Sequence, residues 1–350
     1  MFTKGLKIVK DRFGLLADGT KVHLYTLSNG KMSVSVTDYG CVITSIVIPD
    51  KKHKRHLDVA LGCSTLDGFI QNHETFGGVV GRFANRIGGA SFTIDGIKYD
   101  LDKNDNGVNT LHGGFSRWDK KVWKAKRIAN EYGIGIKLTR KSPDGEQGFP
   151  GNAKVSVSYL LNERNDLTII YKATSDKATP FNMTNHSYFN LNGHSSGSIE
   201  GHKIQMNCSK YLEVDAKLIP TGKQIDVAGT PYDFRTSRTL GEDMAKVGDG
   251  YDNCYCVDGA DGSMKTIAVL ESDDGSRKMT VRGTQPGVQL YTGNFLKNIN
   301  GKDGAVYQCH DAVCLETQDY PDAPNKDSFP NSILRPGETY RHVTQYSFMF

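Results

Sequence analysis

Short stretches in which apolar and polar residues alternate recur along the whole chain. Residues 32–38 (MSVSVTD) place Val34 and Val36 on one side, and residues 153–159 (AKVSVSY) repeat the pattern. A period of two predicts half-buried antiparallel strands. Further strands, rich in β-branched and aromatic residues, are predicted at 167–174, 265–272, 287–293 and 342–350.

Helical patterning is thin, so the fold class predicted from the pattern is all-β. Only residues 64–67 (STLD), followed by GFIQN, offer a capping residue for one short helix. No βαβ alternation and no fixed-period repeat is visible. We expect a large antiparallel β-sandwich formed by one continuous domain over residues 1–350. Four of the eleven prolines fall within 318–338, which predicts a long ordered excursion between the last strands.

Composition narrows the functional class. Lys and Arg number 43 and Asp and Glu 39, a net charge of +4, and this small excess, taken as spread over the chain, argues against a nucleic-acid partner. Mean hydropathy is −0.46, and no apolar run approaches the ~20 residues of a membrane span. The N-terminus lacks the pattern of a secretory signal. The seven cysteines, an odd number, indicate reduced thiols in a cytoplasmic protein.

Two glycine-rich stretches carry basic groups suited to contact a ligand. Residues 81–92 (GRFANRIGGASF) hold Arg82 and Arg86, and residues 109–114 (NTLHGG) present His112 beside two glycines. Each has a plainer alternative when taken alone. The arginines could be surface groups in a turn, and a lone histidine is more often a hydrogen-bonded structural residue.

Two further stretches add an imidazole and a carboxylate. In residues 185–191 (NHSYFNL), alternation along a strand would put His186, Tyr188 and Asn190 on one face, beside aromatic neighbours. In residues 314–324 (CLETQDYPDAP), Glu316 follows an apolar strand and is a candidate general base. The alternatives are a solvated strand face and an ordinary exposed glutamate.

Taken together, these stretches resemble the aldose 1-epimerase family, and the correspondence covers most of the chain. Further matching stretches are DGEQGFPGN (144–152), YLEVDAKLIPTG (211–222), QPGVQLYTGNF (285–295) and the LETQ to LRPGE tail. The resemblance implies a large β-sandwich and an isomerase that interconverts the α and β anomers of free hexoses such as galactose and glucose. It implies a small aldohexose as the molecular partner and neither cofactor nor metal.

The resemblance also implies individual roles. His186 in NHSYFNL would be the general acid, and Glu316 in LETQ the general base. The implied substrate-binding residues are Asn85, Arg86, His112, Tyr188, Asp252 and Gln289. One departure concerns Asn253, which stands where the family commonly has histidine. A strand would turn it away from Asp252, so we expect little effect on catalysis.

Mutarotation requires a base for the anomeric hydroxyl and an acid for the ring oxygen, because the ring must open and close again. We expect a nearby carboxylate to hold His186 protonated at neutral pH.

The rival interpretations of the function are an epimerase of hexose 6-phosphates and a non-catalytic sugar-binding protein. A monomer or weak dimer is expected. The preferred hexose and the aromatic residue that stacks on it, with Trp118 and Trp123 among the candidates, are left open.

Overall fold

The computed structural model describes residues 5–350, and nearly all of its regular structure is strand. In the first half of the chain the strands are β1 (Lys7–Leu15), β2 (Lys21–Ser28), β3 (Ser33–Thr37), β4 (Ile43–Asp50), β5 (Arg55–Asp58), β6 (Val79–Val80), β7 (Arg86–Ile87), β8 (Ser91–Ile94), β9 (Ile97–Asp100), β10 (Thr110–Leu111), β11 (Lys124–Asn130), β12 (Gly133–Ser142), β13 (Ala153–Leu161), β14 (Asp166–Ser175) and β15 (Thr179–Pro180).

The second half continues in the same way. Its strands are β16 (Thr184–Asn185), β17 (Tyr188–Phe189), β18 (Lys203–Met206), β19 (Lys210–Val214), β20 (Pro220–Asp226), β21 (Arg238–Thr239), β22 (Asp252–Cys256), β23 (Lys265–Glu271), β24 (Lys278–Gly283), β25 (Gly287–Tyr291), β26 (Ile299–Asn300), β27 (Val306–Tyr307), β28 (Val313–Gln318), β29 (Ile333–Leu334) and β30 (Tyr340–Met349). The prediction of an all-β fold is confirmed, and each strand expected from alternation is present within a few residues of its predicted ends.

Helical structure in the described residues is limited to one short α-helix and single 3₁₀ turns. The α-helix, α1 (Leu66–Gln71), begins where the sequence predicted it: the Thr65 side chain accepts a hydrogen bond from the backbone N–H of Gly68. The 3₁₀ turns are Gly88–Ala90, Trp118–Lys120, Glu146–Gly148, Leu240–Glu242, Met244–Val247, Lys302–Gly304 and Ala323–Asn325. No helix within residues 5–350 is long and apolar enough to cross a bilayer.

Three antiparallel sheets dominate the architecture. Strands β1 to β5 form one sheet in chain order. A nine-stranded sheet has the order β11-β12-β13-β14-β30-β24-β23-β18-β21, and a six-stranded sheet has the order β17-β28-β25-β22-β19-β20. The remaining short strands pair two by two. The proline-rich excursion leaves the six-stranded sheet after β28 and returns the chain to β30, in the middle of the nine-stranded sheet.

The main hydrophobic core lies between these sheets. Apolar residues that alternate along the strands, such as Val34, Val157 and Leu290, are fully buried in one continuous cluster. One hydroxyl within this core is bonded from sheet to sheet: the Tyr346 hydroxyl of β30 donates to the backbone carbonyl of Leu315 on β28, at 3.3 Å. The six-stranded sheet contributes three of the residues that form the site, one each on β22, β25 and β28.

Candidate active site

Three neighbouring strands of the six-stranded sheet bring three polar side chains together. Gln289 on β25 lies directly opposite Glu316 on β28. The Gln289 amide donates to an Asp252 carboxylate oxygen at 2.7 Å, and its own oxygen accepts from Gln318 at 3.1 Å. Because both ends of the amide are occupied within the protein, its orientation is fixed, and it holds the Asp252 carboxylate in place.

His186 lies next to Glu316. Its Nε2 is 3.5 Å from Glu316 Oε1. The residue sits between the short strands β16 and β17, where its backbone N–H donates to Gly78 and its carbonyl accepts from Gly77. The imidazole stacks on the Tyr188 ring, with centroids 4.9 Å apart and planes 16° from parallel. Backbone bonds and stacking together fix the ring in position beside the carboxyl group.

The other ring nitrogen of His186 faces a thiol. Cys314 Sγ lies 3.5 Å from Nδ1, on the same side of β28 as Glu316 two residues later. Ligand atoms of these three residues all lie within 4.8 Å of one another, a spacing compatible with a metal ion. The thiol and the carboxyl group lie nearest to different ring nitrogens, the thiol to Nδ1 and the carboxyl group to Nε2. That arrangement also suits proton transfer through Nε2 while the thiol contacts Nδ1.

A second histidine approaches from the glycine-rich loops. The backbone N–H of His112 donates to the Asn85 carbonyl, and the Asn85 backbone N–H donates to His112 Nδ1 at 3.2 Å. Because Nδ1 accepts this bond, a neutral His112 carries its proton on Nε2. The next residue, Arg86, donates through Nε to Asp105 at 3.1 Å. The His112 ring lies 5.5 Å from that of His186, centroid to centroid.

Burial controls the protonation of the central pair. It lowers the pKa of His186 to about 4, and the positive charge of Arg117 adds to the effect. Burial raises the pKa of Glu316 well above its usual 4.5, and the nearby Asp252 carboxylate raises it further. The expectation that a carboxylate would hold His186 protonated is therefore wrong, because desolvation outweighs the attraction between two groups 3.5 Å apart.

The pocket that contains these groups has a volume of about 180 Å³. All eight site residues expected from the sequence line it: Asn85, Arg86, His112, His186, Tyr188, Asp252, Gln289 and Glu316. Asn253, the departure from the family pattern, is absent from the lining. The sequence analysis missed seven lining residues: His73, Glu74, Thr75, Leu111, Arg117, Tyr291 and Phe295.

A family model described as aldose 1-epimerase matches residues 23–347 of the chain. The chain belongs to the aldose 1-epimerase family. Among characterised relatives it is 41% identical to the galactose mutarotase of Mus musculus, over 98% of this chain and 99% of the relative. It is 42% identical to the human galactose mutarotase, over 96% and 97% of the two chains. Identity to the aldose 1-epimerase of Escherichia coli is 35%, over 96% and 97%.

Solved structures agree with this membership. A Lactobacillus acidophilus galactose 1-epimerase superposes with a TM-score of 0.84 at 27% identity, covering 98% of both chains. An aldose epimerase homologue from C. elegans superposes with a TM-score of 0.83 at 30% identity, covering 91% of this chain and 95% of that one. The sandwich of this aldose 1-epimerase family member is thus a known fold over nearly its whole length.

Several polar and aromatic residues highlighted by the sequence lie outside the site. Asn190, expected on the face of His186, is fully buried and donates to two backbone carbonyls. The strand there is only two residues long, so alternation does not extend to it. Trp118 and Trp123 pack edge to face in the core, which excludes both as sugar-stacking groups. Arg82 is buried and donates to four carbonyls and two hydroxyls.

One aromatic ring at the pocket does face solvent. Phe295 is 61% exposed, and its ring is stacked on Tyr291 with centroids 6.1 Å apart. An exposed ring beside a polar pocket offers an apolar face to a sugar. The family-matching stretch QPGVQLYTGNF contained this residue, but nothing in its pattern distinguished it from a core phenylalanine.

Proposed function

We propose that the protein is a mutarotase that interconverts the α and β anomers of free aldohexoses such as galactose and glucose. The observation that carries the proposal is the buried pair of His186 and Glu316, 3.5 Å apart in a polar pocket. Relatives named galactose mutarotase, at 41–42% identity, support the same reaction.

In the proposed mechanism Glu316 takes the proton of the anomeric hydroxyl while His186 Nε2 gives one to the ring oxygen. The bond between the ring oxygen and the anomeric carbon breaks, leaving an open-chain aldehyde. Rotation about the adjacent carbon–carbon bond exposes the other face of the carbonyl, and the two proton transfers reverse as the ring closes. No electrons are transferred and no water is added, so the reaction asks for no cofactor.

The pair must hold one proton in total for this cycle to run. Burial disfavours the charged form of both groups, which places that proton on the carboxyl group. Bound sugar hydroxyls would supply hydrogen bonds to a carboxylate, and the ring oxygen would accept from an imidazolium. We therefore propose that substrate binding shifts the proton from Glu316 to His186, which makes Glu316 a base and His186 an acid.

The remaining lining residues would bind hydroxyl groups. His112 would donate through Nε2, and the Arg86 guanidinium, held at one nitrogen by Asp105, keeps its other N–H groups for the sugar. Asp252 and Glu74 offer acceptors. A pocket that offers both hydrogen-bond donors and acceptors suits a neutral polyol, because each hydroxyl group can both donate and accept.

A hexose 6-phosphate fits the pocket less well. Two arginines line it, but each is neutralised by its own carboxylate: Arg86 by Asp105, and Arg117 by Asp119 at 2.6 Å. Three further carboxyl groups line the same cavity. A phosphate dianion would meet no uncompensated cation there.

Residues of a single chain form the pocket described above, which supports a site that works without a second subunit. We propose that the enzyme works as a monomer or weak dimer in the cytoplasm. Its seven cysteines are all unpaired, and six are buried, which suits a reducing compartment.

Polarimetry tests the proposed reaction. Freshly dissolved α-glucose or α-galactose should reach its equilibrium rotation much faster with enzyme than without, and glucose 6-phosphate should be a far poorer substrate. Activity should survive exhaustive chelation. A protein that binds galactose but leaves the spontaneous rate unchanged would be a sugar-binding protein instead.

Glu316→Gln tests the assigned base. The amide keeps the shape of the carboxyl group but cannot accept the proton, so kcat should fall ~10²–10⁴-fold while galactose binding persists. Gln318→Glu, two residues further along β28, is unsuited as a control because Gln318 contacts Gln289. The exposed Glu338→Gln is the matched control, and it should leave kcat unchanged. Full activity in Glu316→Gln would overturn the assignment.

A further inference from the structure

The outer side of the nine-stranded sheet carries a cluster of cations, here called the basic face. Strand register defines it: Lys124, Thr139, Ser156, Lys172 and Arg341 lie opposite one another in a row across five strands. The residues that alternate with them along the strands, such as Val157, point into the core. The basic face comprises Lys124, Lys126, Lys137, Lys141, Lys154, Lys172 and Arg341.

Most cations on this face have another cation as their cross-strand neighbour. Three directly opposed cross-strand pairs join two positive side chains: Lys126 with Lys137, Lys141 with Lys154, and Lys172 with Arg341. Like charges at directly opposed positions destabilise a sheet. The chain thus carries repulsion here that the fold does not require.

No carboxylate relieves this repulsion. Throughout residues 5–350, none of the seven cations of the basic face takes part in an ion pair within 4.0 Å, although 26 such pairs occur elsewhere. Without these seven, the chain has 36 basic and 39 acidic residues. The seven unpaired cations of this one face thus outnumber the net excess of four positive charges in the whole chain.

The basic face is hollowed where β11, β12 and β13 run side by side. A groove of about 740 Å³ is lined by lysines, by Arg140, by Val122 and Val155, and by the hydroxyls of Thr139 and Ser156, with no acidic and no aromatic residue. From β11 to β30 the cations span four interstrand spacings, about 19 Å at ~4.8 Å each. A small anion cannot bridge that distance, so the complementary partner has negative charges spread along a chain.

We propose that the basic face docks an acidic, extended segment of a partner protein. The groove presents lysine ammonium groups and hydroxyls, which suit carboxylates spaced along a polypeptide. The groove lacks the aromatic rings on which unpaired bases stack. Its one arginine, Arg140, is already paired with Glu146, and the basic face has a single arginine among its seven cations, whereas arginine forks favour phosphates. The two valines that line the groove, Val122 and Val155, are not exposed, so they offer no apolar anchor for a lipid surface.

Protection of a sheet edge does not account for these lysines. Lysine on an edge strand blocks unwanted strand pairing, and β11 is an edge strand. Lys137, Lys154 and Lys172, however, lie on β12, β13 and β14, which are paired on both sides. Their charges therefore cannot serve to block strand pairing at a sheet edge. The proposal is also independent of the proposed mutarotase activity, because none of these residues lines the catalytic pocket.

The test is fluorescence anisotropy of a labelled 20-residue polyglutamate with the full-length protein at 50 and 150 mM salt. The triple variant Lys137→Glu, Lys154→Glu, Lys172→Glu should bind at least about tenfold more weakly, and binding by the natural chain should weaken as salt screens the charges. The control triple Lys21→Glu, Lys210→Glu, Lys217→Glu has the same net charge and alters exposed, unpaired lysines elsewhere. It should retain affinity to within about twofold.

The same triple variant separates lost docking from misfolding. It converts all three like-charge pairs into opposite-charge pairs, so its melting temperature should rise while binding is lost. A lower melting temperature, or equal weakening by the control triple, would overturn the proposal. Tighter binding of a 20-nucleotide single-stranded DNA or of anionic lipid vesicles than of polyglutamate would also overturn it, because the partner would then be another class of polyanion.

Discussion

Replacing His186 by asparagine tests the claim that burial, and not ion pairing, governs the central pair. The pKa of His186 falls from the ordinary 6.5 to about 4 on folding. Between those values the unfolded chain binds a proton that the folded protein does not. Stability is therefore lost as pH falls through this window, and His186→Asn removes the effect.

The size of the effect follows from the same two values. A pKa lowered from 6.5 to about 4 corresponds to about 3 kcal/mol between neutral pH and pH 4, at ~1.4 kcal/mol per pH unit. The natural protein should lose about 3 kcal/mol relative to His186→Asn over that range. This is a large part of a typical unfolding free energy of ~5–15 kcal/mol.

The assay is urea unfolding at pH 7.5, 6.5, 5.5 and 4, followed by the fluorescence of the buried Trp118 and Trp123. Subtracting the variant from the natural protein at each pH cancels the other titrating groups. His342→Asn serves as a positive control away from the site, because burial lowers the pKa of His342 to about 4 as well. It should show a difference of similar size and the same sign.

The opposite sign would refute the reasoning. If His186 and Glu316 formed an ion pair in the folded protein, the pKa of the histidine would be raised. The natural protein would then gain stability relative to His186→Asn as pH falls below the raised pKa. A difference independent of pH would show that the imidazole titrates alike in the folded and unfolded chains, which would also contradict the dominance of burial.

Further substitutions test the surroundings of the pair. Cys314→Ala removes the thiol that faces His186 Nδ1; kcat should fall ~2–10-fold with KM nearly unchanged, and the ¹⁵N spectrum of the ring should report a changed tautomer balance. An altered KM with an unchanged ring spectrum would indicate a packing role only. Phe295→Ala should raise KM for galactose ~2–10-fold with little change in kcat, and an unchanged KM would exclude stacking on the substrate. Arg82→Met leaves four buried carbonyls without their donor and should lower the unfolding free energy by at least about 4 kcal/mol in urea titrations, whereas a loss below about 1 kcal/mol would contradict the role of these bonds.

Strand positions were accessible from the sequence because alternation is a local signal. Val34 and Val36, for example, identify β3 without knowledge of its partners. The helix start at Thr65 was equally local, since capping depends on neighbouring residues. Motif resemblance then identified candidate site residues whose positions along the chain are unrelated, such as Asn85 and Glu316.

The features that the sequence analysis missed depend on how segments distant in the sequence pack together. Glu74 and Arg117 reach the pocket from irregular loops that no periodicity locates. Asn190 was assigned to the face of His186 because alternation was extended over a strand of only two residues. The protonation of the pair was misjudged for a related reason: desolvation depends on how many atoms of other segments surround a group, which no local pattern records.

Burial that destabilises charge at the centre of the site is also what makes the proposed chemistry feasible. A solvated His186–Glu316 pair would settle as a stable ion pair and part with its proton reluctantly. In the buried site the neutral arrangement, with the proton on Glu316, is favoured, and hydrogen bonds from a bound sugar to the charged arrangement would shift the proton to His186. Cys314 at one nitrogen of the ring and Tyr188 against its face keep the imidazole aligned while this happens. Mutarotation needs the transfer in both directions, since ring closure is the reverse of ring opening, and a pair whose proton arrangement responds to the bound sugar meets that requirement.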